Sequence, residues 1–146
     1  GDRPNLEPAL AFAGRALVSA GRVQEATELV DELVHGFGHG LITPVLGVDL
    51  PSILVALDYP ATVLAGSTPS LWLEAARTFV AGDPGLAARI YAEIGSKPDE
   101  AYARLEAGRR QGEGGQADLE AALAFYREVG ASAYVQEAES LCLASA

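Results

Sequence analysis

Methionine is absent from this 146-residue chain, and cysteine and tryptophan occur once each. A natural reading frame starts with methionine, so the expectation is a piece or processed product of a longer protein. A lone cysteine, Cys142, excludes an intramolecular disulfide framework and fits a reducing cytoplasm. Within an apolar helical pattern it reads as a small buried hydrophobe. No apolar run approaches the ~20 residues of a membrane span, and no basic-plus-apolar leader opens the chain. A cytoplasmic location without membrane contact is therefore expected. Basic residues are scarce, 10 against 20 acidic, and the formal net charge of −10 repels polyphosphate backbones, which argues against a nucleic-acid partner. Arg104, Arg109 and Arg110 form a local exception that reads as cations complementing the C-terminal end of a helix dipole.

What is present is helical periodicity. The densest stretch runs from 69 to 105, where Leu71, Trp72, Ala75, Ala76 and Phe79 recur at helical spacing. Leu86, Ile90, Tyr91 and Ile94 repeat the pattern, and Tyr102 and Leu105 open a third face. Thr68-Pro69, Asp83-Pro84 and Ser96-Lys97-Pro98 read as helix starts, each with a capping oxygen ahead of a proline in the first turn. Gly82 and Gly95 read as the left-handed residues that follow helix ends. Upstream, Leu10, Ala13, Leu17 and Ala20 mark a first helix from Asn5 to about Ala20, and Val23, Ala26, Val30 and Leu33 a second one to about His35. A glycine-rich loop over about 36–48 follows. Asp49-Leu50-Pro51 starts a short helix that Tyr59-Pro60 ends, and a second short helix passes through Val63 and Leu64. The consecutive run from Ile53 to Leu57 suggests burial on several sides or a contact with a part of the protein outside this chain. Beyond the Gly112–Gly115 turn, Leu119, Ala122, Leu123 and Tyr126, then Tyr134, Val135, Ala138, Leu141 and Cys142, define the last two helices. The fold class that follows is all-α, one domain over 1–146.

Chemistry-bearing motifs are few. His35 and His39 have the i, i+4 spacing of a helical metal pair, but glycines break the helix between them and no cysteine is near. The Gly-x-Gly-x-Gly of residues 36–40 lacks the preceding strand and the spacing of a dinucleotide fingerprint. Gly95-Ser96-Lys97 lacks the rest of a phosphate loop, so Ser96 reads as a helix cap, while Asp99-Glu100 suits a first helical turn. No serine–histidine–acid arrangement is visible. No catalytic residue, cofactor or metal is expected.

Two stretches share a signature. Gly21 to Ala26, followed by Val30 and Leu33, aligns with Gly82 to Ala87, followed by Tyr91 and Ile94. A turn glycine followed five residues later by a small residue, with Gly14 and Ala75 on the preceding helices, resembles the tetratricopeptide repeat. That resemblance implies antiparallel helical hairpins stacked as a right-handed superhelix. A second resemblance covers about 70–146. The runs from Tyr91 to Leu105, Ala122 to Ala131 and Glu137 to Leu141 look like the C-terminal helical region of large actinobacterial signalling proteins. Those proteins combine an adenylate/guanylate cyclase or transcriptional-regulator domain with an ATPase module. The resemblance implies a non-catalytic regulatory tail, with any cyclase or ATPase activity residing upstream.

A helical stack of this kind implies a protein or peptide partner, upstream domains of the same chain included, and leaves self-association open. Trp72, Tyr91, Tyr102 and Tyr126 are the candidate partner-binding residues, because large rings with a polar handle anchor interfaces. The competing reading gives the same rings to the core. Two other roles stand beside partner capture: a structural tail packed on its own catalytic domain, and a small enzyme with an unrecognised site.

Overall fold

The computed structural model describes residues 6–37, 47–64, 69–111 and 115–144. All regular structure among them is helical, as the periodicity requires. The elements are α1 (Leu6–Ser19), α2 (Val23–Phe37), α3 (Asp49–Ala56), a 3-10 turn (Ala61–Leu64), α4 (Leu71–Val80), α5 (Pro84–Ile94), α6 (Lys97–Gln111), α7 (Gln116–Val129) and α8 (Ser132–Ala144). The chain divides into two compact units, Gly1–Gly82 and Asp83–Ala146.

In the first unit α1 lies against α2 and α3, α3 lies against α4, and the 3-10 turn touches both α2 and α4. Val30, Ile53, Leu54, Leu64 and Leu73 form its buried core. Burying side chains of this size contributes roughly 1.5–3 kcal/mol each. Pro51 falls in the first turn of α3, where its missing N–H leaves no bond unmade. Within the 53–57 run Ile53 and Leu54 are buried, Val55 and Leu57 are partly buried, and Ala56 is exposed. The helix ends before the expected Tyr59-Pro60 because Asp58 takes a left-handed conformation at φ 59°, one that aspartate tolerates better than most residues. The expected short helix after it is a single 3-10 turn. Two further boundaries differ from expectation. The cap of α4 is Ser70, whose side chain accepts the Leu73 N–H at 3.1 Å, whereas Thr68 lies outside the described residues. Helix α2 continues through Gly36 to Phe37, and residues 38–46 of the expected loop lie outside the description.

In the second unit α5, α6, α7 and α8 each pack on the next, and α6 also reaches α8. Asp83 caps α5, accepting the Leu86 N–H at 3.0 Å, and Pro84 occupies the first helical position as expected. Leu105, Leu119, Ala122, Leu123 and Tyr126 fill the core between α6 and α7. Gly108 of α6 and Gly115, the residue that precedes α7, lie against each other. A methyl group at Gly115 would stand 2.5 Å from the Gly108 Cα and 2.6 Å from its carbonyl oxygen. Only glycine fits there, for reasons of space rather than backbone angle.

Gly115→Ala should therefore destabilise the protein by about 1–3 kcal/mol, the range for overpacking. At Gly85, in the first turn of α5, the nearest neighbour of an added methyl is 3.6 Å away, so Gly85→Ala should be neutral or stabilising by up to about 1 kcal/mol. Urea midpoints of the two variants check the contrast. A second prediction concerns Tyr59, whose hydroxyl donates to the Asp31 carboxylate. That hydrogen bond, aided by burial and by the Asp31 charge, pushes the phenol up from 10.0 to about 12. The folded state favours the protonated phenol, so this contribution is complete below pH 10.0 and is lost as pH rises through about 12. In an ultraviolet titration Tyr59 should ionise near 12 in the native chain and nearer 10.0 in Asp31→Ala.

Candidate partner-binding surface

Helical spacing places Tyr102 one turn into α6 and Tyr126 near the end of α7, so antiparallel packing brings their ends together. The ring that joins them is Tyr134 of α8. It stacks on Tyr126 with centroids 4.7 Å apart and planes 14° from parallel, and it meets Tyr102 edge-on at 6.3 Å and 88°. Phe125 adds a fourth ring, 5.7 Å from Tyr126 at 63°. Offset-stacked and edge-to-face pairs of this kind each contribute about 0.5–1.5 kcal/mol beyond their buried area. Tyr126 is buried, whereas Tyr102, Phe125 and Tyr134 are partly exposed.

The four candidate aromatics thus separate. Tyr102 and Tyr126 share one cluster. Tyr91, on α5, is fully buried, so its ring is spent on packing. Trp72, on α4, is partly exposed and packs against the core of the first unit. Tyr134 and Phe125 belong to the cluster although neither is among the sequence candidates. Their helical pattern signals a core face, and nothing in the linear spacing shows that Tyr134 lands on Tyr126.

Ion pairs frame the cluster. Arg127 of α7 reaches Glu139 of α8 at 2.7 Å, and Arg109 of α6 pairs with Glu137 of α8 while also holding Glu106 at 3.2 Å. Arg104 holds Glu100 at 2.9 Å and Asp118, at the start of α7, at 3.0 Å. Burial is the largest single influence on Arg104 and disfavours its charge, but the bonds and charges of Glu100 and Asp118 together outweigh it and raise its pKa. The same balance, with Glu137 and Glu106 as partners, raises Arg109. Arg104 lies mid-helix, so its partners rather than the helix dipole account for it. Arg109 and Arg110 do stand in the last turn.

Two clefts flank Arg104. One, of about 350 Å³, is lined by Asp83, Gly85, Leu86, Arg89 and Gln111 together with Arg104 and Asp118. The other, of about 190 Å³, is lined by Ala101, Ala121, Ala124 and Phe125 and by the charged Lys97, Glu100, Arg104 and Glu128. Charges of both signs line each cleft.

The remaining motifs take structural places. Ser96 immediately precedes α6 and its hydroxyl donates to Asp99. His35 stands exposed in the last turn of α2, and His39 lies outside the described residues. Among the described residues no group of three or more His, Cys, Asp or Glu side chains is placed to hold a metal ion, and no helix is long and apolar enough to cross a membrane. Cys142 is partly buried against the α6–α7 core. No protein-family model matches the chain, and no curated protein or solved structure matches it either.

Arg104→Met should leave Glu100 and Asp118 without their shared partner. Each of the three side chains retains only 22–28% exposure, so the loss should be about 1–2 kcal/mol after allowance for screening. Arg104→Lys should recover only part of it, because one ammonium cannot span both carboxylates in the same geometry. Thermal melts of the two variants check the order.

Proposed function

We propose that this chain is a tetratricopeptide-like interaction or regulatory module of a larger cytoplasmic bacterial signalling protein, and that it binds protein or peptide rather than catalysing a reaction. The cyclase, regulator and ATPase functions of the resembling proteins belong, in this reading, to domains upstream.

The observation that carries the proposal is the backbone conformation and burial at the matched positions of the two repeat signatures. Gly21 and Gly82 both adopt positive φ, 75° and 100°, the conformation a tight interhelical turn asks of glycine. Five residues later Ala26 and Ala87 are both completely buried, and four residues beyond them so are Val30 and Tyr91. The small residues of the preceding helices are buried as well. A methyl group at Gly14 would stand 3.1 Å from the Ile53 side chain, and Ala75 is 0% exposed. Sequential packing of α5 through α8, with α6 reaching past α7 to α8, is further support. Each helix of a repeat array touches its near neighbours and little else.

Partner recognition in this reading falls to the partly exposed rings, Tyr102 and Trp72, each in its own unit. Tyr102→Ala or Trp72→Ala should weaken capture of the upstream domains, or of a separate partner protein, by about tenfold or more, the loss typical of an interface anchor. Far-ultraviolet circular dichroism should stay unchanged. Equal loss of helicity and binding would assign both rings to the core instead, and turnover by the pure chain would replace the proposal with an enzymatic one.

A further inference from the structure

The helix that contributes Tyr134 is held differently from its neighbours. Helices α5 and α6 each have five buried residues, α7 has four, and α8 has Ala138 alone. Also tying α8 are the Tyr134 contacts with Tyr126 and Tyr102, partial burial of Val135, Leu141 and Cys142, and the pairs Arg127–Glu139 and Arg109–Glu137. The four side chains of those pairs are 40–58% exposed. Exposed ion pairs of this kind hold weakly and yield to salt. An element with one buried side chain and wet electrostatic ties opens before the core beneath it.

What α8 packs against is apolar and aromatic: Tyr126 and Tyr102 meet Tyr134, and Ala138 belongs to the same buried cluster as Ala101, Leu123 and Tyr126. The covering helix also displays what that surface accepts. It presents an aromatic residue, a small one four positions on and an aliphatic one three beyond, Tyr134, Ala138 and Leu141, the spacing of one face of an amphipathic helix.

We propose that α8 is a releasable strap on the second unit, and that the α6–α7 surface beneath it is a docking site for a partner helix carrying the same aromatic–small–aliphatic face. Binding would exchange one helix for another of like chemistry, so the affinity seen by the partner is set by how readily α8 lets go. This rests on the interaction-module reading and gives it a regulated site.

Hydrogen exchange on the full chain, resolved by peptide, tests the strap. Amides of α8 should exchange about tenfold or more faster than those of α6 and α7. Raising sodium chloride from about 0.01 M to about 1 M, which shortens the screening length from about 30 to about 3 Å, should speed α8 further. Each exposed pair is worth roughly a two- to fivefold change in opening. Exchange of α8 in step with α6 and α7 at both salt concentrations would overturn the strap.

The docking site is tested with Ala138→Asp in the full chain and a labelled peptide of residues 130–146. The variant should keep its protection in α6 and α7 and should bind the peptide, and a peptide carrying Ala138→Asp should bind about tenfold more weakly or not at all. Loss of protection across α5, α6 and α7 in the variant would make α8 an integral wall of the core and overturn the proposal, as would a protected α6–α7 pair that ignores the peptide. If the strap opens and the peptide docks while Tyr102→Ala leaves partner capture untouched, the strap stands and the assignment of Tyr102 to partner recognition falls.

Discussion

The distance at which two helices can meet governs this chain, and alanine and glycine set it. Ala26, Ala75, Ala76, Ala87, Ala88, Ala103, Ala107, Ala122 and Ala138 are all completely buried. A buried alanine favours the helix it belongs to, loses no side-chain rotamer freedom and lets a neighbouring backbone approach. At Gly108 and Gly115 even alanine is too large. Close approach leaves room for fewer large residues, so Leu105 and Leu119 are the fully buried ones that fill the α6–α7 pair. The tyrosines then gather toward the open end of that pair, where a ring can be half wet.

Much of this was legible in the linear pattern. The start of α5 follows from Asp83-Pro84 and its end from Gly95, because a capping carboxylate, a first-turn proline and a left-handed glycine each have a local physical reason. Local chemistry was less informative where two signals competed. Thr68-Pro69 reads as the start of α4, but the hydroxyl that caps it is Ser70. Tyr59-Pro60 marks a stop, but Asp58 turns the chain first.

The candidate surface was legible only in part. Aromatic residues at helical spacing identify a face without saying what covers it, so Tyr91 and Tyr102 look alike in sequence although one is buried and the other partly exposed. The Tyr126–Tyr134 stack depends on the register of α8 across the Gly130-Ala131 connection, which no hydrophobic period encodes. Arg104 reads as one cation of a basic cluster, yet its role comes from Glu100 one turn back and Asp118 on the next helix. Partners fourteen positions apart become visible only when α6 and α7 fold back on each other.

The module proposed above would have its binding strength regulated by its own packing. Tight small-residue contacts hold α6 and α7 together, while aromatic and electrostatic contacts tie on α8; in the proposed reading the surface is built rigidly and covered loosely. The measurement that tests the central claim most directly is the native mass of the protein in lysate of the source cells, read by immunoblot with antibodies raised against this chain. A band far above 15.1 kDa is the predicted result, since the module is proposed to regulate a larger signalling protein. A single band at 15.1 kDa would contradict it and require a function contained within these helices alone.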